Sequence, residues 1–193
     1  MSNKNTKPVI FIGIGLVLIV LFLIIPRKPW SSKEESVKPE MSGEQAKLQQ
    51  AIDLVNGSNP MQGIMMLREI VAKDSNNVEA QYWLGVFAVQ SGQYEKAIPR
   101  FEKVIGLDPQ YLSAYMDLGA VYKEMGQIDV ALQLFEKAAE IDSTNNYALF
   151  FSGQAAELNG NKVKAKKYYQ QLLRHTEDTA IVAKVKELIQ KNN

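Results

Sequence analysis

Between Val78 and Leu173 the apolar residues recur three and four positions apart, the spacing of one buried face of an α-helix. This spacing predicts a helix pair over about Val78 to Gln90 and Tyr94 to Ile105, packed through Leu84, Val86, Phe87, Ala97, Ile98, Phe101 and Val104. A second pair is predicted over about Leu112 to Met125 and Ile128 to Ile141, using Tyr115, Leu118, Val121, Tyr122, Ala131, Leu132, Phe135 and Ala138. A third covers Asn146 to Leu158 and Val163 to Leu173, where Leu149, Phe150, Ala155, Ala165, Tyr169 and Leu172 take the matching places. Beyond it, Asp178 to Gln190 carries Ile181, Val182, Val185, Leu188 and Ile189 at helical spacing with charged residues between them. Each pair leaves an apolar face that the next must cover, so the pairs are expected to stack.

The pairs are copies of one unit. Gly85, Gly119 and Gly153 lie 34 residues apart, and Gly92, Gly126 and Gly160, Ala97, Ala131 and Ala165, and Phe101, Phe135 and Tyr169 keep the same interval. The first glycine column leaves room where two helices approach, and the second can adopt a left-handed conformation to end the first helix of each pair. The alanines keep the second helix close and the aromatic residues wedge into the core. Pro109, after Leu107-Asp108, closes the first clear unit, and Ile141-Asp142-Ser143 takes that place in the next.

Leu84-Gly85 with Ala97 and Phe101, then Leu118-Gly119 with Ala131 and Phe135, resembles the tetratricopeptide repeat. The third copy, Ser152-Gly153 with Ala165 and Tyr169, departs at the leucine. The resemblance implies an all-α solenoid of antiparallel helix pairs, wound as a right-handed superhelix with the first helices lining a concave face. In that frame residues 78–111, 112–145 and 146–176 are full repeats and residues 177–193 a capping helix. Residues 43–76 are a divergent copy, with Ala51 at the close-packing position, Gly63 for the alanine and Leu67 for the aromatic. Its turn residues, Asn56-Gly57-Ser58-Asn59-Pro60, are shifted against the others.

The N-terminus changes the picture. Val9 to Ile25 carries no charge and is bracketed by Lys4 and Lys7 before and Arg27 and Lys28 after. As a helix its 17 residues would reach roughly 26 Å, enough for a thin bilayer. Pro26-Arg27-Lys28-Pro29-Trp30 lacks the small residues a signal peptidase needs, so the segment is expected to stay as a transmembrane anchor, with Trp30 at the interface. Residues 1–8 are then a short tail and residues 26–42, rich in Ser, Lys, Glu and Pro, a tether. The fold expected is an N-terminal transmembrane helix followed by the solenoid and its capping helix.

Composition excludes more than it selects. A formal net charge of +1 gives no field to steer the domain toward nucleic acid. With no cysteine there are no disulfides and no thiolate metal sites, and His175 is the single histidine, so histidine-rich metal sites are not available. No glycine-rich phosphate loop precedes a helix. The chain is therefore read as non-enzymatic, with no catalytic residue, cofactor or metal. Lys162, Lys164, Lys166 and Lys167, followed by Arg174 and His175, form the densest charge run and read as the wet side of a helix, or as a contact for acidic lipid headgroups or a phosphate-rich partner.

By resemblance to the family, the concave lining comprises Leu48, Ile52, Tyr82, Val86, Val89, Met116, Ala120, Lys123, Tyr147, Phe150, Gln154 and Glu157. That aromatic and aliphatic surface suits a protein helix or extended peptide held by a few anchors. Tyr82, Val86 and Asp117 stand where a carboxylate clamp of the family would need Lys or Asn, which argues against recognition of a C-terminal carboxylate. The expected function is a membrane-tethered scaffold or assembly factor of the bacterial cell envelope. It would be anchored in the inner membrane by residues 9–25, with its domain in the periplasm and protein partners in the groove. Two alternatives stand beside it: a self-associating structural protein, and a cytosol-facing membrane receptor for soluble clients.

Overall fold

The computed structural model describes residues 43–57 and 59–191, and everything within them is helix or short connection. The elements are α1 (Gly43–Asn56), α2 (Pro60–Lys73), α3 (Val78–Gln90), α4 (Tyr94–Leu107), α5 (Leu112–Glu124), α6 (Ile128–Ile141), α7 (Asn146–Leu158), α8 (Lys162–Leu172) and α9 (Thr179–Lys191). Each helix packs on the next, and the first helices also touch in sequence, α1 with α3 and α3 with α5. The odd-numbered helices from α1 to α5 thus share one side of the stack, as in an α-solenoid.

The repeat columns take the places their chemistry suggests. Gly92, Gly126 and Gly160 have φ of 68°, 76° and 74°, the left-handed conformation that turns α3, α5 and α7 into their partners. Gly85 and Gly119 face ring edges: a Cβ there would lie 2.7 Å from Cε1 of Phe101 and of Phe135 respectively, and Gly153 is pressed harder still by Tyr169. The rings are fully buried and each stabilises its repeat by about 2–3 kcal/mol through apolar area removed from water. Ala97, Ala131 and Ala165 are likewise fully buried.

Residues 43–76 follow the same plan with other side chains. Ala51 and Leu67 are fully buried, and a Cβ on Gly63 would lie 2.6 Å from the carbonyl oxygen of Ala51, so α1 and α2 cross almost backbone to backbone. The exit turn is also shared. Asp74, Asp108 and Asp142 each end a second helix and accept, at 2.9 Å, a bond from the backbone N–H two residues on. These Asx turns lead into α3, α5 and α7; Asn77 and Asn145 then cap α3 and α7 by accepting from the N–H of Ala80 and Ala148.

Two expectations need correcting. Among the described residues no helix is long and apolar enough to cross a membrane. The longest have 14 residues, where a spanning helix needs about 20. The expected anchor at residues 9–25, with the tail 1–8 and the tether 26–42, lies outside the described residues. The fold is an all-α solenoid, and the expected transmembrane helix is no part of what is described. The second correction is at α8, expected to start at Val163: Lys162 starts it, Val163 is 83% exposed, and Ala165, Tyr169 and Leu172 are its buried residues.

Candidate functional site

The inner face is built from α1, α3, α5 and α7, and its polar chemistry is dominated by tyrosine hydroxyls donating to carboxylates of the neighbouring repeat. Tyr82 on α3 donates to Asp117 on α5 at 2.8 Å, and Tyr111, at the entry to α5, donates back to Glu79 on α3 at 3.0 Å. The two rings meet at 5.0 Å between centroids, with Trp83 edge-on to Tyr82 at 5.7 Å. Trp83 also donates its indole N–H toward Glu79. Burial, then the adjacent carboxylates, pushes the Tyr82 and Tyr111 hydroxyls far above the usual phenol range, so both remain donors throughout the physiological range. Burial also raises the Asp117 carboxyl, and the bond from Tyr82 opposes that rise in part.

The same device recurs on the other side of the stack. Tyr168 on α8 donates to Glu136 on α6 at 2.9 Å, and Lys164 reaches that carboxylate at 2.8 Å. In the last repeat Tyr169, standing where the others have Phe, carries a hydroxyl into the core that donates to Glu157 at 3.2 Å. The other oxygen of Glu157 accepts from Lys191 of α9 at 2.8 Å. The capping helix therefore ties itself to the inner face at its C-terminal end.

Against that geometry the expected lining divides. Tyr82 is half-buried and has its polar end spent on Asp117, and Glu157 is engaged by Tyr169 and Lys191. Phe150 packs into the last core cluster and against the Tyr169 ring, with centroids 6.3 Å apart. Lys123 sits 5.5 Å over the Phe151 ring and 3.6 Å from Glu124. Leu48, Ile52, Val86, Val89, Met116, Ala120 and Gln154 are half-buried, and Tyr147 alone of the set is open to solvent, at 73%. A hollow of about 670 Å³ lies at the N-terminal end, lined by Leu48 and Ile70 among polar residues that include Lys47, Lys73 and Asp74. A bound carboxylate at the Asp117 position would face a like charge, which agrees with the absence of lysines there.

Glu79, Trp83, Tyr111 and Phe151 were not among the expected inner-face residues. Their signal was present: Tyr111 and Glu79 are 32 positions apart and Tyr82 and Asp117 are 35 apart, close to one repeat length, so each pair falls on neighbouring units. Among the described residues no group of acidic or histidine side chains is arranged to hold a metal ion.

The comparisons with known proteins agree with this architecture. Two sequence profiles of the tetratricopeptide repeat match residues 77–144 and 116–179. Two crystal structures of MamA are similar at 29% identity. One has a TM-score of 0.63 over 72% of this chain and 75% of that chain; the other has 0.65 over 72% and 81%. MamA of AMB-1, at 21% identity and a TM-score of 0.62 over 70% and 74%, shares the fold. No curated protein sequence matches. These matches correct the reading of a membrane-anchored bacterial type. What they recognise is the repeat array, and a bilayer partner, an inner-membrane address, a periplasmic domain or a cell-envelope role does not follow from them. The fold and the likeness to the MamA structures are those of a helical repeat array. Over residues 77–179 the chain belongs to the tetratricopeptide repeat family.

Proposed function

We propose that this protein is a self-associating structural scaffold, a repeat array whose copies hold one another and present the remaining inner surface to protein segments. The observation that carries this reading is where the polar groups of the inner face are spent. Tyr82, Asp117, Glu79 and Tyr111 satisfy each other, and Glu157 is taken by the chain's own core and capping helix. A groove whose hydrogen-bonding groups are internally engaged has little left to specify a client, whereas large apolar side chains such as Met61, Met65, Tyr147 and Leu158 stand exposed. Residues 43–76 are taken as a genuine repeat because they share the Asx turn and the close helix crossing of the others.

Sedimentation velocity of the full chain over a hundredfold range of concentration tests this. A mass that rises with concentration supports the scaffold; a monomer throughout overturns it. Tyr147, the one exposed residue of the expected lining, favours a second role as an anchor for an extended segment. Tyr147→Ala should remove crosslinked partners without shifting the melting temperature by more than a few degrees, and unchanged crosslinking would place partner contacts elsewhere.

A further inference from the structure

The solvent-facing side of α2 differs from those of α4, α6 and α8 at one register. Met61 and Met65 are 61% and 59% exposed, one helical turn apart on the outside of α2. The same two positions 34, 68 and 102 residues later hold Glu95 and Pro99, Asp129 and Gln133, and Val163 and Lys167. The fold is thus built three times without a pair of large apolar side chains there, and the methionines serve something other than the packing of their own repeat. They do not stand alone, since exposed Arg68 and Ala72 continue the row at intervals of three and four residues, the seam along which two helices pack.

We propose that α2 is the surface through which two copies of this chain pair, antiparallel, about a two-fold axis passing between Met65 and Arg68. This deepens the self-association reading and rests on it. A two-fold contact requires one patch to complement itself. The α2 row does so in shape and in charge. Antiparallel pairing sets Met61 opposite Ala72 and Met65 opposite Arg68 of the second copy, large against small and thioether against the aliphatic stem of an arginine. Glu69 lies one turn from Met65, within reach of the facing Arg68. Among the described residues neither Arg68 nor Glu69 has an ion-pair partner within its own chain, so both charges are free to pair across the axis. A partner of different sequence would need no such self-complementarity.

The chain has no cysteine, so a single introduced thiol reports on one position. Full-length Met65→Cys treated with a short bismaleimide should give a covalent dimer, whereas Gln133→Cys, at the same register on α6, should stay monomeric under the same conditions. Met65→Lys should weaken the dimer by about tenfold or more in dissociation constant, since it sets a second cation against the facing Arg68 in place of a thioether. Arg68→Glu and Glu69→Arg should each weaken it, and the double swap Arg68→Glu/Glu69→Arg should restore it. If sedimentation shows association but Met65→Cys does not crosslink, or crosslinks no better than Gln133→Cys, this surface is wrong and the scaffold reading survives. If the unmodified chain is a monomer at every concentration, both fall.

Discussion

At the scale of single residues the tightest constraint is the glycine opposite each buried ring. Gly119 has the Phe135 ring edge where a Cβ would go, and an aromatic ring held by packing on all sides cannot yield as the end of a flexible chain can. Gly119→Ala is therefore expected to cost about 1–3 kcal/mol, read as a lower melting temperature, and Phe135→Leu in the same chain should recover part of the loss by making room. Asp117 carries a second prediction. Burial raises its folded pKa, so the folded state holds that proton more tightly than the unfolded chain does. The stability this group contributes is present at acid pH, below the unfolded value, and is lost as pH rises through the folded value. Asp117→Asn keeps an acceptor for Tyr82 and cannot ionise. Thermal melts should show a higher midpoint at pH 7 than the parent and a smaller gap between pH 7 and mildly acidic conditions; a large loss at pH 7 would mean that the bond to Tyr82 outweighs the burial of charge. Both residues were readable to different degrees. The glycine column stood out because a repeat displays the same steric demand three times. Asp117 was legible only as a missing lysine, since its partner comes from another repeat.

At the scale of elements, helix positions could be read almost residue by residue because apolar stripes, corner glycines and Asx turns recur in register. What could not be read was the tie between α9 and the inner face. Apolar spacing shows that α9 buries Val185 and half-buries Ile181, Leu188 and Ile189, but it does not show that Lys191 reaches Glu157. The pair is exposed on the lysine side, where solvent screens it and little stability is gained. Most of the capping effect must then come from apolar burial. Lys191→Ala should lower the melting temperature by no more than a degree or two, whereas Val185→Asp should lower it severely and expose the Tyr169 and Leu172 end of the core to dye binding. If the two variants melt alike, the ion pair and not the core contact holds the cap.

At the scale of the whole molecule, a solenoid is stabilised by nearest-neighbour contacts, so its ends should open before its middle. The end helices bury little, Ala51 and Val55 in α1 and Val185 in α9, while α7 buries Ala148, Leu149, Ser152, Gly153, Ala155 and Ala156. Hydrogen exchange should therefore run fastest in α1 and α9 and slowest from α4 to α7; uniform protection would indicate a globally cooperative unit instead. The sequence by itself determined the repeat length, the helix pairs and the turn glycines, because each depends on local conformational preference or on a pattern repeated in register. Tertiary structure decided which inner-face groups are already engaged and which apolar side chains remain outside. Those depend on contacts between residues about 30 positions apart, where a shift of one helical turn changes the partner, and no local preference specifies that choice.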